Sequence, residues 1–185
     1  MALYMNGQEI SQSSGVPISG APISSATEPY IEEIYNSDGQ LISANMHGYD
    51  AIRSYMFRDC SNLALTSLPS GITSIGTNAF QNCTKLALTS LPSGITSIGI
   101  SAFENCPKLA LTSLPSGLTS IGNNAFGKCT GLTSITFTGT PTSIKNNAFS
   151  NCTNLTTINV PWAEGAVANA PWGATNATIH YGYTG

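Results

Sequence analysis

Charge is what this chain has least of. Only 8% of its 185 residues are Asp, Glu, Lys or Arg, about a third of the usual share. The formal net charge is −3, so the basic excess that nucleic acid or an anionic membrane would call for is missing. Histidine is nearly missing too. His47 and His180 are the two present, and they sit at opposite ends of the repeat region. Nucleophilic catalysis needs a base beside its nucleophile, and acid–base work needs a second group nearby. Between residues 60 and 160 the lone carboxylate is Glu104. Neither a phosphate-cradling loop nor a Cys-x-x-Cys pair occurs. The expectation is a chain without catalysis or cofactor. No apolar run approaches the roughly 18 residues of a membrane span. The start, Met1 to Gly7, has no basic region, apolar stretch or small-residue cleavage site, which predicts synthesis without an export address of its own.

What the chain does have is a period. Cys60, Cys83, Cys106, Cys129 and Cys152 follow one another at intervals of 23 residues. Three units, 60–82, 83–105 and 106–128, share the text Cys-x-x-Leu-Ala-Leu-Thr-Ser-Leu-Pro-Ser-Gly-Ile/Leu-Thr-Ser-Ile-Gly-x-x-Ala-Phe. A fixed period of this length marks a solenoid, in which each turn of chain stacks on the last. The aromatic slot repeats as Phe57, Phe80, Phe103, Phe126 and Phe149 and reaches Trp172, so the array extends beyond the cysteines at both ends. With strands about 4.8 Å apart, five to six turns make a rod roughly 25–30 Å long.

Within each unit, Leu-Thr-Ser-Leu predicts a short strand ended by Pro69, Pro92 or Pro115, since proline cannot donate to a ladder. Ile-Thr-Ser-Ile-Gly predicts a second short strand, and Asn-Ala-Phe-x-Asn-Cys a tight or one-turn helical corner. Gly71, Gly94 and Gly117 are expected in turns at positive φ. The cysteines together with the phenylalanines and Trp172 form the expected core ladder, with free thiols packed as small hydrophobes. Disulfides or a metal are the alternatives, but tetrahedral zinc ligands must converge, whereas slots stacked on a rod form a line.

These residues resemble the BspA-like leucine-rich repeats, a 23-residue class. The matching pattern is Cys-x-x-Leu through Ile-Gly-x-x-Ala-Phe-x-x-Cys over about residues 49–174. The resemblance implies a right-handed solenoid of short parallel strands, a cell-surface or extracellular setting, and adhesion to a protein or glycan without catalysis. The ends, including Val160-Pro-Trp and Ala170-Pro-Trp, resemble those of phage- and prophage-encoded solenoids from gut Firmicutes. That implies an alternative role in a phage tail.

The divisions read from the sequence are an N-terminal arm and linker (1–36), a degenerate capping turn (37–59), the solenoid (60–174) and a C-terminal cap (175–185). The Ser/Gly/Pro-rich stretch 11–29 reads as a flexible linker, and Tyr30–Tyr35 with Asp38-Gly39 as a hairpin. The N-terminal part is read either as a cap or as an arm that docks to a larger assembly. Trp162, Trp172, Tyr181 and Tyr183 read as capping hydrophobes, with carbohydrate stacking as the alternative. Differences among the three near-identical units cluster beside the Phe-to-Cys corner, at Thr77, Asn78, Gln81 and Lys85, at Ile100, Ser101, Glu104 and Lys108, and at Asn123, Asn124 and Lys128. Exposed threonines elsewhere do not vary. Drift after duplication explains this pattern; the functional alternative is a ligand-binding corner.

Overall fold

An apolar residue repeated every 23 positions buries its side chain against the same residue one turn away, so short parallel strands stack in strict register. The computed structural model describes residues 29–185 together with the strands Leu3–Met5 (β1) and Gln8–Ile10 (β2), which pair antiparallel. The predicted linker lies, up to residue 28, outside the described residues.

One five-stranded parallel sheet runs along the rod, formed by Ala51–Ile52 (β5), Ser74–Ile75 (β6), Ser97–Ile98 (β7), Ser120–Ile121 (β9) and Ser143–Ile144 (β11). Every pairing joins equivalent residues of adjacent turns, such as Ile75 with Ile98 and Ile98 with Ile121. A second parallel sheet joins Ser113–Leu114 (β8), Ser134–Phe137 (β10), Thr157–Asn159 (β12) and Thr178–His180 (β13). Thr157 pairs with Thr178, so the last turn is two residues short of the 23-residue period.

The second sheet is where expectation and structure part. The Leu-Thr-Ser-Leu segments of the first two repeats form no ladder. Each adds one inter-turn bond, Ala87 N–H to the Leu65 carbonyl and Ala110 N–H to that of Leu88, both 3.0 Å. Proline at the end of each segment removes the next donor. Thr138 occupies the equivalent slot in the fourth repeat, and its N–H and Oγ1 both donate to the Leu114 carbonyl, at 3.4 and 2.8 Å. There the strand lengthens to four residues.

The glycine expectation is also corrected. Gly71, Gly94 and Gly117 are not among the left-handed residues. Their turns close by Ile72, Ile95 and Leu118 N–H bonds to Pro69, Pro92 and Pro115 carbonyls at 3.1–3.2 Å, an i-to-i+3 closure that needs no positive φ. The repeated glycines with no room for a side chain are Gly76, Gly99 and Gly122, and Gly131 and Gly139 are as tightly held. A Cβ on Gly99 or Gly122 would lie 2.6 Å from backbone atoms of the preceding turn.

Leu, Ile, Ala and Phe rows fill the interior. The rings of Phe57, Phe80, Phe103, Phe126 and Phe149 stack at 5.2–5.5 Å with planes within 13° of parallel. Trp172 follows in the slot and is buried, but it turns to Phe137 and Trp162, 6.1 and 6.4 Å away. This aromatic cluster closes the C-terminal end. At the other end Tyr30–Tyr35 (β3) and Leu41–His47 (β4) form an antiparallel hairpin across Gly39, whose φ is +71°. Ala44 and Met46 of β4 are buried in the core, and the Ile42 carbonyl accepts from Ala64 N–H at 3.0 Å. β3 thus lies in the segment read as an arm, and β4 in the segment read as a capping turn.

Candidate ligand-binding face

Each Phe-to-Cys corner is a tight turn, and no helix forms among the described residues. Two residues adopt left-handed φ in each of the first four corners and one in the fifth. One slot holds Tyr55, Asn78, Ser101 and Asn124; the other holds Asp59, Asn82, Asn105, Lys128 and Asn151. Asparagine tolerates this region better than other side chains, which accounts for its dominance. The left-handed turns swing alternate N–H groups along the rod. In the first repeat Asn78, Phe80 and Asn82 donate to the carbonyls of Ile100, Ala102 and Glu104 of the second at 2.8–2.9 Å. The backbone therefore holds the corner together, and the side chains outside the core are free to differ.

Those side chains form two rows. Asn78 Nδ2 donates to Gln81 Oε1 (2.7 Å), Gln81 Nε2 donates to Glu104 Oε2 (2.9 Å), and Lys128 Nζ stands 3.7 Å from Glu104 Oε1. Beside them Asn105 Nδ2 donates to Asn82 Oδ1 (3.0 Å) and Asn82 Nδ2 to Asp59 Oδ1 (2.6 Å). Lys85 projects from the next slot and donates to Asn62 Oδ1 at 2.5 Å; Lys108 is exposed one turn further on. Ile100 is 53% exposed, an isolated apolar side chain among polar ones. Thr77, Asn123 and Asn124 are half-buried, and Asn124 Oδ1 accepts from Ser150 Oγ at 3.0 Å. Ser101 is buried and offers no surface.

The capping turn adds residues that comparing the three complete repeats alone does not reach. Tyr55 is 55% exposed, with the Arg58 guanidinium 5.8 Å above its ring, and Arg58 Nε lies 3.4 Å from Asp59 Oδ2. Projecting the period back from Asn78, Gln81 and Asn82 reaches all three.

The invariant threonines have a structural explanation in one slot. Thr73, Thr96, Thr119 and Thr142 Oγ1 donate to the carbonyls of Asp50, Thr73, Thr96 and Thr119 at 2.8–3.1 Å. Each ties its turn to the preceding one. Nothing in the structure explains why Thr66, Thr89 and Thr112 are invariant.

The cysteines are free thiols. Cys83, Cys106, Cys129 and Cys152 are buried, and each Sγ donates to the phenylalanine carbonyl of the turn before, at 2.9–3.1 Å. Burial pushes the Cys106 thiol up to about 12 and Cys152 to about 11, and raises Cys83 and Cys129 as well. A thiol held protonated is a poor nucleophile and a poor metal ligand. Among the described residues no group of three or more His, Cys, Asp or Glu converges as metal ligands would. His47 stacks on Tyr30 at 4.5 Å in the N-terminal hairpin, with Glu32 4.0 Å away, while His180 is in β13 at the far end. A cleft of about 450 Å³ opens between β4 and Leu65–Pro69, on another side from the corner.

Stacked parallel turns with an apolar interior, and side chains that vary on one corner only, define a solenoid of the leucine-rich-repeat class. Six copies of the BspA type leucine-rich repeat match residues 50–167, and the chain belongs to that family. It is similar in structure to a leucine-rich repeat protein from Bacteroides ovatus, with 27% identity and a TM-score of 0.50 over 64% of this chain and 34% of that one. A leucine-rich repeat protein from Eubacterium ventriosum matches at 23% identity and a TM-score of 0.50, over 74% of this chain and 42% of that one. The chain thus spans well under half the length of these two proteins. No curated protein matches it. Among the described residues no helix is long and apolar enough to cross a membrane.

Proposed function

We propose that this chain is a non-catalytic binding or adhesion module whose ligand face is the Phe-to-Cys corner, presented to a protein or glycan. Leucine-rich-repeat solenoids of this family are typically non-enzymatic, and the fold suits binding along an extended surface. One observation carries the assignment to the corner. Sequence differences among three near-identical repeats fall where main-chain bonds leave side chains free, while the Thr96-type slot is constrained by its own hydrogen bond. Loop and corner positions on a rigid scaffold are where binding residues concentrate.

Screening the purified full chain against glycan and matrix-protein arrays tests this reading. A hit should weaken at least tenfold in Gln81→Ala/Lys85→Ala and stay unchanged in Thr66→Ala/Thr89→Ala/Thr112→Ala, outside the corner. The reverse pattern, or equal loss in both variants, removes the corner from the ligand's path.

A further inference from the structure

The charges of this chain are sparse, and their placement is polarised. The corners span residues 53–62, 76–85, 99–108, 122–131 and 145–154, and all six basic residues of the chain fall inside them: Arg53, Arg58, Lys85, Lys108, Lys128 and Lys145. Every one is exposed. The intervening segments 63–75, 86–98, 109–121 and 132–144 contain no charged residue. Of the nine acids, Asp59 and Glu104 alone share the corners, so six cations against two carboxylates leave this side of the rod formally +4. Both carboxylates are already engaged, Asp59 by Arg58 at 3.4 Å and Glu104 by Lys128 at 3.7 Å. Among the described residues no carboxylate stands within ion-pair distance of Arg53, Lys85, Lys108 or Lys145. Acids flank the track at the two ends of the rod, Glu32, Glu33 and Asp38 in the hairpin and Glu164 in the C-terminal loop.

Scatter for solubility would distribute six cations over both sides. Instead they line one side of successive turns, interleaved with the donors Asn82, Asn105 and Gln81. Resting on the reading of the corner as the ligand face, we infer that the corner is a track for a linear acidic polysaccharide, carrying carboxylate or sulfate groups, laid along the rod axis.

Three alternatives fit the face less well. Turns lie about 5 Å apart and four of the five corners carry one unpaired cation each, the fourth having only the paired Lys128, too sparse for a duplex with one phosphate per about 1.7 Å. Single-stranded nucleic acid needs a series of stacking rings, and the corner exposes Tyr55 alone. A protein partner calls for buried aromatic and apolar anchors, of which Tyr55 and Ile100 are the sole exposed candidates here. Hydroxyl-rich acidic sugars use what is present, which is spaced cations with amides between them.

The test is binding of the full chain to polygalacturonate and dextran sulfate, beside neutral dextran, poly-glutamate and poly(dT). At least one of the two acidic polysaccharides should bind, neutral dextran should not, and raising salt from about 50 to 200 mM should cost about tenfold or more. Lys85→Gln/Lys108→Gln/Lys145→Gln should lose about tenfold at low salt, with an unchanged melting temperature. Glu104→Gln should bind more tightly, and Asp38→Asn/Glu164→Gln should match the parent. Equal binding of neutral dextran overturns the inference, as does a triple variant that binds like the parent. Poly-glutamate or poly(dT) binding as well as the polysaccharides overturns the assignment to sugar. If neither polysaccharide binds while another ligand still depends on Gln81 and Lys85, this inference fails and the corner reading survives. A ligand indifferent to every corner variant sinks both.

Discussion

The two sides of the rod solve one problem, joining each turn to the next, by different means. Along the Thr-Ser-Ile side, parallel strands of two residues are supplemented by a threonine Oγ1 on the preceding turn's carbonyl, and by a glycine with no room for a Cβ. Identity is demanded there even at exposed positions. On the Phe-to-Cys side, backbone N–H groups turned along the rod by left-handed residues make the inter-turn bonds, over a buried stack of rings and thiols. Only the inward side chains are constrained there, and the outward ones differ from turn to turn. Invariance at a surface slot of a repeat can therefore mark a hydrogen bond or a close approach. Variation marks where the main chain already holds the structure.

Substitutions chosen in pairs put this contrast under strain. Phe103→Ala removes the central ring of the stack and should cost about 3–5 kcal/mol in urea unfolding. In the same corner the exposed Lys108→Gln, which has no ion-pair partner among the described residues, should change stability by less than about 0.5 kcal/mol. Equal effects would mean that the stack does not hold the corner.

The thiol ladder makes alkali a second probe. Burial favours the neutral thiol, so its contribution is complete below the ordinary value of about 9 and is lost as pH climbs toward about 12 for Cys106. Above pH 9 the loss should approach about 1.4 kcal/mol per pH unit for each fully buried thiol. Cys106→Ala should flatten that slope in denaturation curves run from pH 7 to 11. In the native protein at pH 7.5, maleimide should label half-buried Cys60 well ahead of the four buried cysteines.

Gly99→Ala drives a Cβ into the backbone of Gly76 and Thr77 at 2.6 Å and should cost about 1–3 kcal/mol. At Gly94 the nearest atom to a Cβ is the Ile72 carbonyl oxygen at 3.6 Å, so Gly94→Ala should be neutral or stabilise by about 0.5 kcal/mol. A drop in melting temperature for both would contradict the distinction between the two glycine slots. The smallest difference should lie between Thr96→Val, which loses the Oγ1 bond and about 1 kcal/mol, and Thr89→Val, which loses none.

Much of this molecule is legible in one dimension because a solenoid repeats its contacts at the interval at which it repeats its sequence. The 23-residue spacing of Cys, Phe and Ile identifies rows that must stack, and the corner variation can be read by laying three units side by side. Proline in the Leu-Thr-Ser-Leu-Pro slot predicts a strand end, yet in the first two repeats no ladder forms there at all. That outcome depends on what the adjacent turn offers, as Thr138 shows by restoring the bond. Gly71 and Gly76 look alike in the sequence. They differ because a Cβ on Gly71 would meet only the Tyr49 carbonyl oxygen, at an ordinary 3.8 Å, whereas one on Gly76 would run into the backbone of Arg53 and Ser54.

Period, turn number and inward rows were thus settled by local composition, since each slot carries its own preference for burial. Left-handed geometry at asparagine, the direction of each thiol and the convergence of six cations on one side needed the coiled chain. The thiol contacts and the Asn82–Asp59 contact join residues 26 and 23 positions apart, and only the stacking of turns brings those residues within a few ångströms.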